Sequence, residues 1–226
     1  MVENIITIST TSVRSERQYV IDNLLLLHLI KKCNSVGNIT GITKLEKLVF
    51  LAKYVMVQNQ IKDFNYRFFK WNYGSYSRGL HNDFSELLGS NLIKEDGGIK
   101  LTERGEKLLE ICNNFLQHNE GILKIIEKIA VNYSEKSLSE IKKIIYNIEI
   151  IKDGKLFKIS DMPKDEAFEL LSEMVDTELK NSFIIPEEWI ETLEMEFNED
   201  SSNAIEEFRK DITEGRIRHV GSISNL

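Results

Sequence analysis

Apolar residues recur along most of this chain at the three-to-four-residue spacing of helices, and aromatic or alternating stretches interrupt that pattern in a few places. Over 15–33, Val20, Ile21, Leu24, Leu25, Leu27, Leu29 and Ile30 leave so little polar surface that the predicted helix belongs inside a core. Gly37 and Asn38 end it. Thr43 then offers a side-chain oxygen to the first backbone N–H groups of a helix over 43–55, with Leu45, Leu48, Val49, Ala52 and Val55 on its inner face. The stretch 64–76 is dense in Phe, Tyr and Trp, which favours a strand or a tightly packed extended arm. Ser77 caps a helix over 78–89 that turns Leu80, Phe84, Leu87 and Leu88 inward. Residues 92–95 and 99–101, joined by Asp96-Gly97-Gly98, read as a β-hairpin, and Thr102 caps the helix that follows. Helix, helix, hairpin, helix is the order of a winged helix-turn-helix.

Beyond the hairpin the pattern predicts helices over 103–118, 121–133 and 137–148, then a turn at Asp153-Gly154 and a short strand or linker over 155–159. Pro163 and a change in charge balance mark a boundary at 160–163. The tail reads as helices over 165–181 (Phe168, Leu171, Met174, Val175 and Leu179 on one face), from Pro186 to about 197, and from 201 to Gly215. The expected fold class is therefore mainly α with a small β-hairpin: a winged-helix-like N-terminal domain over 1–159, helical extension included, and an acidic helical region over 160–226.

Charge sharpens that division. Residues 1–160 carry 23 basic and 18 acidic side chains, whereas 161–226 carry 6 and 18, a net of −12. An acidic segment of this kind suits docking on a basic partner or imitating the charge of nucleic acid. No apolar run reaches the length of a membrane span, and the start of the chain lacks a secretory pattern, so a cytoplasmic protein is expected.

Candidate chemistry changes the picture little. His28, His81, His118 and His219 fall on separate elements without metalloprotease or nucleophile-elbow spacing, and His28 lies in an apolar helix as a core histidine does. Cys33 and Cys112 stand alone, Gly97-Gly98 is too short to cradle a phosphate, and no pair of carboxylates is singled out by spacing. No catalytic residue, metal or cofactor is expected.

At Lys44-Leu45-Glu46-Lys47-Leu48-Val49-Phe50-Leu51-Ala52, Trp71-Asn72-Tyr73-Gly74-Ser75-Tyr76-Ser77 and Leu101-Thr102-Glu103-Arg104-Gly105, the chain resembles the SocA-like, or Panacea, antitoxin domain and the related YwgA-type winged-helix proteins. The resemblance covers about residues 18–115; Ser75 stands where that group usually has Pro, and the region from Ser160 has no counterpart in it. It implies an antitoxin that neutralises a paired toxin by direct contact, and it brings no catalytic residues.

Two sets of functional residues are expected. For a cognate toxin with a basic surface, bound as a hetero-oligomer or alongside a homodimer, the anchors are Trp189, Ile190, Leu193, Phe197 and Phe208. For operator DNA, as in a regulator of its own operon or of a mobile element, Arg78, His81 and Asn82 would reach base edges, and Lys94, Lys100 and Arg104 the phosphates. Asp83, Glu86, Glu95 and Asp96 oppose the DNA reading. A structural adaptor in a phage-defence complex is a third, weaker role.

Overall fold

A computed structural model describes residues 14–62, 64–71, 74–152, 155–162, 169–171, 182–214 and 216. The architecture is mainly helical, with three two-stranded antiparallel ribbons among the described residues. Helix α1 (Glu16–Val36) runs through the centre, as its nearly continuous apolar surface requires: Leu24 to Leu27, Leu29 and Ile30 are fully buried. Ser15 and Gln18 form a capping box at its start. Helix α2 (Ile42–Gln58) follows, then the ribbon β1 (Phe69–Trp71) and β2 (Gly74–Tyr76), helix α3 (Arg78–Gly89), and the hairpin β3 (Ile93–Glu95) and β4 (Ile99–Leu101). Next come α4 (Glu103–Ile111), α5 (Asn113–His118), α6 (Glu120–Tyr133) and α7 (Leu138–Tyr146), then the ribbon β5 (Glu149–Lys152) and β6 (Lys155–Lys158). A 3-10 turn at Glu187–Trp189 leads into α8 (Ile190–Phe197) and α9 (Glu199–Thr213). Around α1 pack α6, α8, α4 and β4.

Several local expectations change. Thr43 lies inside α2, whose N-cap is Gly41 and has no side-chain cap. The helix expected over 103–118 is interrupted at Cys112, which ends α4 and precedes α5. The aromatic stretch is extended: Phe64, Tyr66 and Phe68 are buried at alternate positions, and Phe69 begins the paired ribbon. Within the helix expected over 165–181, residues 169–171 are not helical; Leu170 N–H donates to Phe68 O at 2.7 Å and Glu169 bridges Phe69. Phe168, Met174, Val175, Leu179 and Tyr73 lie outside the described residues. The last helix starts at Glu199, earlier than expected, because Asn198 caps it by accepting from Ser201 N–H at 3.0 Å.

Packing does not stop at residue 160. Phe183, Ile185, Ile190, Leu193 and Phe197 belong to the same buried cluster as α1 and α2. The expected boundary rests on Pro163 and on charge, but a proline marks only a local interruption and charge says nothing of a helix's apolar face.

The Lys-Leu-rich motif of α2 has a physical explanation. Lys44, Lys47 and Lys53 are buried, and each ammonium donates to backbone carbonyl oxygen outside α2. Lys44 Nζ reaches Asn38 O at 2.7 Å and Ser134 O at 2.5 Å, and Lys53 Nζ reaches Phe64 O at 2.7 Å. Lys47 Nζ donates to Ser75 O and, at 2.7 Å, to Glu46 Oε2. Glu46 Oε1 accepts from Ser77 N–H at 2.8 Å, so this adjacent pair holds the turn that starts α3. At the Leu-Thr-x-x-Gly motif, Thr102 Oγ1 accepts from Gly105 N–H and donates to Asn91 O at 2.6 Å. A Cβ on Gly105 would lie 2.2 Å from Leu92 O, so only glycine lets α4 sit this close to the hairpin.

His28 is buried in α1 and its Nε2 has no hydrogen-bond partner. Burial, helped by Lys32 and Lys31, lowers its pKa to about 4. The folded state therefore binds fewer protons than the unfolded state between pH 6.5 and 4, and this contribution to stability is complete above 6.5 and lost as pH falls toward 4. Asp22, held up at about 6 by burial, acts with the opposite sign in the same window. His28→Leu is expected to remove an acid-side loss of roughly 2–3 kcal/mol, read as the difference between the urea midpoints of variant and parent at pH 7 and at pH 4.5.

Candidate functional site

The side chains proposed for DNA are not all presented to solvent: Asn82 is exposed on α3, but His81 and Arg104 are engaged by the fold. Arg78 is exposed in the first turn of α3, and Lys94 and Lys100 are exposed on the hairpin. His81 turns back toward the fold: Nε2 lies 3.3 Å from Glu46 Oε1 and its ring tilts against Tyr76. Arg104 is a correction. Only 16% of its side chain is exposed, and its guanidinium is held by Ser90 O at 2.9 Å, Glu196 at 2.5 Å and Glu206 at 3.7 Å. The acidic helices α8 and α9 have captured the arginine that was expected to meet a phosphate.

The expected protein anchors divide as well. Ile190, Leu193 and Phe197 are buried inside the molecule, Phe197 meeting Tyr19 edge-on at 6.2 Å, so they cannot be presented to a partner in this conformation. Trp189 is half-buried against Phe115. Phe208 alone of the set lies open, 57% exposed. Its helix docks by one face: Glu199 N–H donates to Glu86 Oε2 at 3.0 Å and Ser202 is fully buried near Ser90. A Cβ on Gly89 would meet the Glu199 carboxylate at 2.2 Å, so the bare last turn of α3 makes room for α9. A neighbouring face of α9 carries Ser201, Ile205, Phe208 and Ile212 at helical spacing, and Ile212 is 55% exposed.

Between α1, α3 and α8–α9 lies a cleft of about 680 Å³. Its lining includes Glu16, Tyr19, Asn82, Glu86, Glu191, Glu194 and Met195. Burial first, then the charges of Glu16 and Glu191, raise the pKa of Glu194. The floor is a polar network that the sequence pattern did not disclose. Arg14 pairs with Asp22 and Asp83, each at 2.7 Å; Tyr66 Oη donates to Asp83 Oδ2 at 2.7 Å, and Asn65 N–H to Asp22 Oδ1 at 2.7 Å. Burial works against the Arg14 charge, but Asp83 and Asp22 outweigh it and raise its pKa. One guanidinium faces two carboxylates, so this floor adds negative charge to the cleft. The available signal was Asp22-Asn23 within an apolar helix, a polar pair that burial obliges to find partners.

Cys33 and Cys112 are buried free thiols whose pKa burial pushes up to about 12. Among the described residues no group of His, Cys, Asp and Glu is arranged to hold a metal ion, and no helix is long and apolar enough to cross a membrane. Compared with models of protein families, with curated proteins and with solved structures, the chain matches none.

Proposed function

We propose that this chain is a partner-binding protein of the antitoxin kind, which neutralises a toxic protein by direct contact. The observation that carries the reading is the apolar stripe on α9 in which Phe208 and Ile212 are exposed and Ile205 is half-buried. Scattered apolar residues on a surface are ordinary, but a stripe at helical spacing on one side of a docked helix is the pattern of a contact face. The family resemblance supplies the antitoxin role. The contact surface differs from the one expected from sequence: Ile190, Leu193 and Phe197 build the platform, and Phe208 with Ile212 remains to meet the partner.

The runner-up reading, a winged-helix regulator of its own operon, is favoured by Arg78, Lys94 and Lys100, which lie exposed on the helix and hairpin that such a fold turns toward DNA. Against it stand the capture of Arg104 and the carboxylate of Glu86 on the same helix.

Co-expression with the product of the neighbouring toxic gene is the test. The full chain is expected to restore growth, and Phe208→Asp with Ile212→Asp is expected to abolish rescue without loss of folded protein. A full-length chain that never rescues growth, but shifts upstream DNA in a manner abolished by Arg78→Glu, would replace the first reading by the second.

A further inference from the structure

The cleft and the α9 stripe are parts of one surface. Ser201 and Asn198 line the cleft, and Ser201 begins the line that continues through Ile205, Phe208 and Ile212. The cleft end is anionic: Glu16, Glu86, Glu191 and Glu194 make no ion pair with a Lys or Arg among the described residues, and the single cation at the floor, Arg14, is held by Asp22 and Asp83. The other end is apolar, with Phe208 and Ile212 exposed and Ile205 half-buried. Met195, 41% exposed, and Tyr19 add apolar wall where the long stems of basic side chains could lie.

Resting on the partner-binding reading above, we infer that this surface receives a basic amphipathic helix of the partner protein, its Lys or Arg heads in the cleft and its apolar face along Ile205, Phe208 and Ile212. The charge selects the occupant. Unpaired carboxylates lower the energy of entering guanidinium or ammonium groups and repel phosphates, so nucleic acid and anionic lipid are disfavoured on this face. Like-charge crowding of Glu194 by Glu16 and Glu191 is relieved when cations enter, which makes binding sensitive to salt. The acidic region is thus one wall of a receptor for a basic segment, a narrower role than the docking on a basic partner that its charge suggests.

The test uses the full chain and synthetic amphipathic helical peptides in calorimetric titration: one with leucines on one face and arginines on the other, a second with Glu for Arg, a third with Ser for Leu. The Leu/Arg peptide is expected to bind, and the other two to bind at least about tenfold more weakly. Glu191→Lys with Glu194→Lys, and separately Phe208→Ser with Ile212→Ser, are each expected to weaken the Leu/Arg peptide at least about tenfold. Glu110→Lys with Glu135→Lys, exposed elsewhere, is the control and is expected to leave affinity unchanged. Equal weakening by the control pair would mean general charge attraction, and unchanged affinity in the cleft pair would remove the cleft; either result overturns the inference. In the rescue assay, persistence of rescue by the Glu191→Lys, Glu194→Lys chain would sink the cleft while leaving the antitoxin role standing. Absence of rescue by the parent chain, with peptide binding intact, would sink the role and leave the cleft.

Discussion

Lys47→Ala is expected to destabilise the chain by roughly 3–5 kcal/mol, the usual loss when one partner of a buried ion pair is removed. Lys47 is 1% exposed and Glu46 3%, so the deletion leaves the Glu46 carboxylate in the interior without its ammonium partner. It also removes the donor to Ser75 O, one of the groups that hold the turn before α3. The double variant Glu46→Gln, Lys47→Met separates the two effects. Its glutamine can still accept from Ser77 N–H and no charge remains buried, so the loss should shrink to about 1–3 kcal/mol, the cost of leaving Ser75 O without its donor. Urea unfolding of the purified chain reads both. A Lys47→Ala chain within about 1 kcal/mol of the parent would mean that water reaches the pair and that the buried-lysine account of α2 is wrong.

The buried lysines of α2 also show what a sequence pattern does not carry. Periodicity is local, so α1, α3, the hairpin and the caps at Ser77 and Thr102 could be read from neighbouring residues. Lysines by habit belong on the surface, and nothing in Lys44-Leu45-Glu46-Lys47 says that their heads turn inward to carbonyls far along the chain, such as Ser134 O. Arg104 failed for the same reason: it was assigned to DNA by its place in the hairpin–helix order, while its partners Glu196 and Glu206 come from distant sequence. Net charge misled in the opposite direction. A balance of −12 over residues 161–226 suggested a separate acidic region, although the apolar faces of α8 and of Phe183 and Ile185 were equally visible and only their destination was not. Elements follow from short-range pattern; which charged groups meet follows from tertiary packing, and the site depends on the latter.

Phe197→Ala measures where the acidic region belongs. The ring is fully buried and meets Tyr19 of α1 at an interplanar angle of 79°. Its removal opens a cavity between α8 and α1 and is expected to cost about 3–5 kcal/mol in the isolated chain, with Leu193→Ala costing about 2–5 kcal/mol. Phe208→Ala, two turns into α9 on the apolar stripe, is expected to change stability by no more than about 0.5 kcal/mol and to act only on partner binding. If all three residues were anchors for a partner, none would alter the unfolding of the chain alone, and all three would weaken the complex. A parent-like urea midpoint for Phe197→Ala would therefore detach the acidic region from the core and restore Ile190, Leu193 and Phe197 to the contact surface. A large loss at Phe197 with none at Phe208 would fix the division between platform and contact, because burial that stabilises the folded monomer is burial that a partner cannot also claim.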